Sequence, residues 1–184
     1  MDIVIAAFLN RLGRGTIDPF TELICQVPLL LVLWTVLVLL ALALDRRDGR
    51  RVAGAVLLAV AIHFVISEVL LKHLVLAELP MRVRPYLAHP DLITPVGHRF
   101  VDSSFPSSHA ASTVAIVTVL GHAYRRFAVL AASFALVMCL SRVHNGMHYP
   151  TDVLAGSILG LAYGALAIRG TVELARRRAA PVAP

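Results

Sequence analysis

The chain has 184 residues, of which 58% are hydrophobic and only 15% charged, against about 25% charged in an ordinary soluble domain. With a mean hydropathy of +0.79, a water-soluble globule of this size has no interior large enough to hide its apolar surface, and a disordered chain needs the opposite composition. The formal net charge is +6, but the basic residues fall in short clusters between apolar runs. That is the pattern of loops at a membrane surface, not of a nucleic-acid-binding domain.

Residues 1–20 are too polar to span a bilayer. Ile3, Val4, Ala7 and Phe8 form an apolar stripe there, which predicts an interfacial helix. About five apolar stretches then approach the roughly 20 residues a spanning helix needs. They run over 22–44, 52–71, 108–123, 127–140 and 152–168. The first is too long, and starts too far in, for a cleaved signal peptide, and Asp45-Arg46-Arg47 follows it. The expected fold class is therefore all-α, a polytopic membrane helix bundle built as a single domain over 1–184. A long loop covers 72–107 and a tail covers 169–184. Arginine clusters at 46–51, 125–126 and 176–178 share one side, which the positive-inside rule makes cytoplasmic. The 72–107 loop then faces periplasm or exterior. Cys25 and Cys139 both lie in apolar runs without a zinc or disulfide pattern, so both are expected to be free thiols.

The outward side collects the unusual residues. The chain has a single lysine, Lys72, at the outer end of the second span, with Glu68 one helical turn earlier. Pro80 and then Arg82-Val83-Arg84-Pro85 follow, and guanidinium forks match phosphate oxygens. Taken alone, Lys72 is as well read as a snorkelling anchor, and the arginines as lipid-headgroup contacts. A second cluster, Ser103-Ser104-Phe105-Pro106-Ser107-Ser108-His109, opens the third span. Ser107 or Ser108 suits a helix cap, and the same helix start suits a phosphate. The third cluster runs from Ser141-Arg142 to Asp152. Pro150 suits the first turn of the last span, and Asp152 falls one turn after His148, where a carboxylate can fix the imidazole tautomer and sharpen the other nitrogen as a nucleophile. All three clusters fall on one face, and ionisable groups at a membrane edge are costly unless they function.

These residues resemble the signatures of the type 2 phosphatidic acid phosphatase superfamily, PAP2. Pro106-Ser107-Ser108-His109 is similar to its second signature, Pro-Ser-x-His, with serine where glycine is common. Ser141-Arg142, five residues, His148, three residues and Asp152 match its third in full. Arg84-Pro85 matches the end of its first, while Lys72 stands further from Arg84 than that signature asks. The family's membrane enzymes usually have six spans. The resemblance implies hydrolysis without metal or cofactor. His148 attacks phosphorus, Asp152 orients it, and His109 protonates the leaving oxygen and then activates water. Lys72, Arg84, Ser107, Ser108 and Arg142 hold the phosphoryl oxygens, with Arg82 able to share the Lys72 task.

Two other classes remain at this point. His144, His148 and Asp152 follow one another at helical spacing, as zinc ligands do, although Gly146 and Pro150 interrupt such a helix. A non-catalytic lipid transporter would use the basic pocket without needing a nucleophile. The partners implied are the bilayer and a phosphorylated lipid. Undecaprenyl diphosphate is the preferred substrate, in a bacterial inner membrane, with phosphatidylglycerol phosphate, phosphatidic acid and lipid A 1-phosphate as alternatives.

Overall fold

The computed structural model describes residues 1–75 and 80–179, with side chains described except at 72–75, 178 and 179. These residues are helical throughout their regular structure. Two short helices come first, α1 (Asp2–Arg11) and α2 (Asp18–Ile24). Then come α3 (Val27–Leu44) and α4 (Gly49–His63), the latter continued by a π-helical stretch, Phe64–Val75. After the short α5 (Pro85–Ala88) follow α6 (Ser108–Ala123), α7 (Ala128–His144) and α8 (Pro150–Ala179).

Among the described residues, four helical stretches are long and apolar enough to cross a membrane: Val27–Leu44, Gly49–Leu71, Arg125–His144 and Pro150–Arg177. The fifth expected span, α6, has 16 residues. At 1.5 Å per residue that is about 24 Å, short of the roughly 30 Å hydrocarbon core. Its neighbours α4, α7 and α8 enclose it. The first span begins later than its apolar run. Pro28 has no N–H to donate to an earlier turn, so the chain breaks at Gln26, which is extended. The last helix runs past Ile168 to Ala179, where the tail was expected. On α3 the large side chains stay open, with Leu31 61%, Val32 60% and Leu44 78% exposed. Such a surface is stable only against lipid.

The most extensive contact in the bundle joins α6 to α8. Gly156, Gly160 and Gly164 recur every fourth position along α8. A Cβ at Gly156 would lie 2.5 Å from the Ser107 carbonyl oxygen, and one at Gly160 would lie 2.5 Å from that of Ala111. At Gly164 it would meet Thr118 Cβ at 2.6 Å. Small residues let two membrane helices touch backbone to backbone, where packing and not water exclusion drives association. Ala111 and Ala115 of α6 are fully buried in the core shared by α4, α6 and α8. A second core at the other end joins α1 through Ala6, Tyr86 and Ile93 to Cys139, Val143, Met147 and Val153.

The connections sort as the sequence suggested. At one end Asp45, Asp48, Arg51, His122 and Thr171 line a common cavity. At the other, α1 and α2 pack on α7 and the 81–107 segment. The helix α1 does more than lie on a surface. Val4 and Phe8 are exposed, but Ala6 and Asn10 are buried. Asn10 donates to the carbonyls of Thr94 (2.9 Å) and His144 (2.6 Å) and accepts from the Thr94 amide. Cys25 and Cys139 are buried free thiols.

Gly160→Val should force α6 away from α8 and cost about 1–3 kcal/mol, the usual range for overpacking. Gly54, where an added Cβ would meet nothing within 4 Å, supplies the control: Gly54→Ala should leave stability unchanged or raise it. Thermal unfolding of both variants in the same detergent checks the pair.

Candidate active site

Backbone bonds fasten the three clusters together. The Ser107 amide donates to the Asp152 carbonyl at 3.1 Å, tying the start of α6 to the start of α8. The Tyr86 amide donates to the Gly146 carbonyl at 3.3 Å, and the Ser104 amide to the Arg82 carbonyl at 2.9 Å. Gly146 turns the α7–α8 connection with φ +72°, and a Cβ there would lie 2.6 Å from Ile93 Cγ2, so glycine is required twice over.

His148 stands at the centre and is 4% exposed. Its Nδ1 lies 2.7 Å from the Ser104 carbonyl oxygen, which can only accept, so Nδ1 carries the proton. The lone pair is then on Nε2. Arg84 Nη1 and Arg142 Nη2 each approach Nε2 to 3.5 Å. Both arginines are 4% exposed. Arg84 is held by the Asp102 carboxylate (2.7 Å), the Asp102 carbonyl (3.0 Å) and the Met147 carbonyl (3.0 Å). Among the described residues, Arg142 Nε has no hydrogen-bond partner, and neither does the buried Ser107 hydroxyl. Burial, then the guanidinium charges of Arg142 and Arg84, hold the His148 imidazole well below its ordinary value.

Asp152 is fully buried near His148, but the expected hydrogen bond between them is absent. Its Oδ2 is 3.9 Å from His148 Nδ1. That oxygen accepts the Tyr149 amide at 2.8 Å, and Oδ1 accepts Arg82 at 2.5 Å. The Ser104 carbonyl therefore sets the tautomer directly, and Asp152 braces the loop. Neither serine caps α6 with its side chain. Ser108 donates instead to Glu68 Oε1 at 2.5 Å, which fastens α6 to the π-helical stretch. His109, in the first turn of α6, donates from Nε2 to the Cys25 carbonyl at 3.1 Å. The Lys72 side chain, and with it any meeting of Lys72 with Arg84 or Glu68, lies outside the described residues, as do residues 76–79. Arg82 is not in the cradle around His148 Nε2; its partners are Asp152, Asp2 and Thr151.

The zinc arrangement does not form. His144 turns to the Leu9 carbonyl (2.9 Å) and the Asp18 carboxylate (2.8 Å), away from His148. Sequence reading missed Asp102, Cys25 and Asp2 as parts of this region, and the role of Ser104, which it placed in the second cluster. Ser104 and Cys25 contribute carbonyls, which any residue has, and the other two meet partners far along the chain. The Cys25 thiol also neighbours Arg142; burial pushes this thiol up, against the pull of that cation.

A family model described as the PAP2 superfamily matches residues 52–176. The chain is 39% identical over 151 residues to the decaprenylphosphoryl-5-phosphoribose phosphatase of Mycobacterium tuberculosis, covering 79% of this chain and 76% of that protein. It is 34% identical over 86 residues to the undecaprenyl-diphosphatase BcrC of Bacillus subtilis, covering 47% and 44%. In fold it is similar to the crystal structure of Aquifex aeolicus LpxE, with a TM-score of 0.73, 20% identity, and coverage of 91% of this chain and 94% of that one.

Because burial and the two guanidinium groups disfavour a charged ring, the His148 imidazole should remain neutral at pH 6 in a nitrogen-15 NMR titration. Arg142→Gln removes one of those charges and should move the midpoint upward, toward the ordinary histidine value near 6.5.

Proposed function

The chain belongs to the PAP2 superfamily and is a membrane phosphatase, and we propose that it removes the terminal phosphate from a polyprenyl-linked phosphate lipid. The observation that carries this reading is the His148 Nε2 lone pair facing two buried guanidinium groups, with Nδ1–H fixed on a carbonyl. A terminal phosphate entering that cradle puts its oxygens on Arg84 and Arg142 and its phosphorus in front of Nε2. Attack forms the N–P bond as the bond to the leaving oxygen breaks, and His109 gives that oxygen a proton. Water, deprotonated by His109, then cleaves the N–P bond and frees inorganic phosphate and His148. The arginines, the Ser107 hydroxyl and Lys72 stabilise charge as it spreads over the transferring group. Asp152 keeps the His148 loop in register, and Ser108 positions His109.

The sequence favoured undecaprenyl diphosphate. The relative with the longer and closer likeness carries a phosphoribosyl head on a decaprenyl phosphate in its name, and this favours such a head. Both names share a polyprenyl carrier ending in a phosphate, and that is the class proposed. The whole chain works as one membrane-embedded domain in a bacterial plasma membrane. The α1–α2 end faces outward, because the arginine clusters lie at the other end.

Purified enzyme should release phosphate from decaprenylphosphoryl-5-phosphoribose or undecaprenyl diphosphate with a kcat/KM at least about tenfold above that for phosphatidic acid, a difference of about 1.4 kcal/mol. Preference for the diacyl substrate would refute the polyprenyl reading. His148→Ala should abolish turnover and His109→Ala should reduce it by orders of magnitude. For orientation, a cysteine introduced by Asp91→Cys, an exposed position, should be labelled by an impermeant thiol reagent with the plasma membrane intact. Labelling only after that membrane is broken would invert the topology.

A further inference from the structure

The network behind Asp152 is not used by the reaction as described, and it reaches residues outside every signature. Asp152 Oδ1 accepts Arg82 Nη1 at 2.5 Å, and Arg82 Nη2 donates to Asp2 Oδ2 at 2.6 Å. Thr151 closes the ring: its hydroxyl accepts from Arg82 at 2.9 Å and donates to Asp2 Oδ2 at 2.6 Å, while its amide donates to Asp2 Oδ1 at 3.2 Å. The Arg82 guanidinium lies 4.4 Å from the centroid of the Tyr149 ring, next in sequence to His148. Burial pushes the Asp2 carboxyl up, but hydrogen bonds from Thr151 and Arg82 outweigh that and hold it below its usual range, so Asp2 is ionised at neutral pH.

The geometry points to Asp2 and Arg82 as positioning residues for phosphoryl transfer at His148, acting through Asp152 and the Tyr149 backbone without touching substrate. The inference rests on His148 being the nucleophile. A buried carboxylate needs a cation, and Arg82 supplies one to Asp152. With that charge balanced, Asp152 Oδ2 stays on the Tyr149 amide and fixes the peptide that follows His148. Without Arg82, Asp152 faces burial uncompensated and must either turn toward His148 Nδ1 or take up a proton, and each change displaces the imidazole. Misplacement of a reacting group by about 1 Å costs about a hundredfold in rate. Arg82 needs its own orientation, which Asp2 gives by taking the second arm of the fork, where a lysine has one point charge. The helix α1 is thereby part of the active-site support.

The test measures kcat and KM for Arg82→Gln, Arg82→Lys, Asp2→Asn and the double variant Asp2→Asn/Arg82→Gln. The substrate is whichever phosphate lipid the wild type hydrolyses fastest, so that a wrong substrate class shows in the wild type and a wrong positioning role shows only in the variant-to-wild-type ratios. Arg82→Gln should lower kcat at least about tenfold with KM within about twofold of wild type, as expected for a group that acts on the transition state alone. Arg82→Lys should recover part of that loss, and Asp2→Asn should lose less than Arg82→Gln. The double variant should lose less than the product of the two single losses, because Asp2 acts in part through Arg82 and in part through Thr151. If Arg82→Gln does not fold, Asp2→Asn and Arg82→Lys carry the same test. A raised KM with unchanged kcat would make Arg82 a substrate clamp. Multiplying losses in the double variant, or wild-type kcat in Arg82→Gln and Asp2→Asn, would also overturn the inference.

Discussion

The backbone contact between α6 and α8 governs everything at the α1–α2 end of the bundle. Glycines at 156, 160 and 164 remove the side chains that would separate the two helices, and the Ser107 amide can then reach the Asp152 carbonyl. That single approach places a helix start bearing Ser107, Ser108 and His109 beside a helix start preceded by His148. In a membrane, two apolar helices gain nothing by hiding from water, so van der Waals contact must supply the association. Shape is therefore the constraint. The length of α6, short for a span, follows from its enclosed position, since a helix covered by neighbours need not match the bilayer with its own surface.

The site uses electrostatic compression as its main device. Two guanidinium groups sit 3.5 Å from one imidazole nitrogen, in a region nearly closed to solvent. Like charges so placed repel, and the available counter-charge is limited: Asp102 serves Arg84, and Arg142 Nε lacks a hydrogen-bond partner among the described residues. A dianionic phosphate resolves this imbalance. The same two charges disfavour protonation of His148, which keeps its Nε2 lone pair for phosphorus. In the proposed mechanism, recognition of the anion and activation of the nucleophile both arise from this one arrangement. The polar layer beneath it, Ser67 with Tyr163 (2.8 Å) and Glu68 with Ser108, fixes α4 against α6 and α8 and holds the frame in place.

Much of this was legible in the chain. The apolar runs placed the membrane helices, Pro150 placed the start of α8, and the signature residues Arg142 and His148 stand together at 3.5 Å, while Asp152 lies near His148 without the expected hydrogen bond. What stayed hidden has physical reasons. The break at Gln26 depends on a single proline near the start of a long, mostly apolar run. The π-helical continuation of α4 has no compositional mark. The carbonyl that sets the His148 tautomer belongs to the backbone of Ser104, and only the fold can aim it. Asp2 meets Thr151 across almost the whole chain length, beyond the reach of any local pattern. The glycine ladder was different: its four-residue period stands openly in the sequence, and its importance appears only once the facing helix is known.

The central claim is that His148 carries the phosphoryl group during turnover. The most direct measurement is rapid acid-free quenching of the His109→Ala variant with lipid labelled in its terminal phosphate, followed by peptide mapping. With undecaprenyl diphosphate, whose leaving phosphate can depart without a proton from His109, the first step survives in this variant while water is no longer activated, so the intermediate should accumulate. The label should appear on the peptide containing His148, stable to base and released by acid, as a phosphoramidate is. Label on a serine, stable to acid, or no covalent label while phosphate is still produced at a measurable rate, would contradict the account.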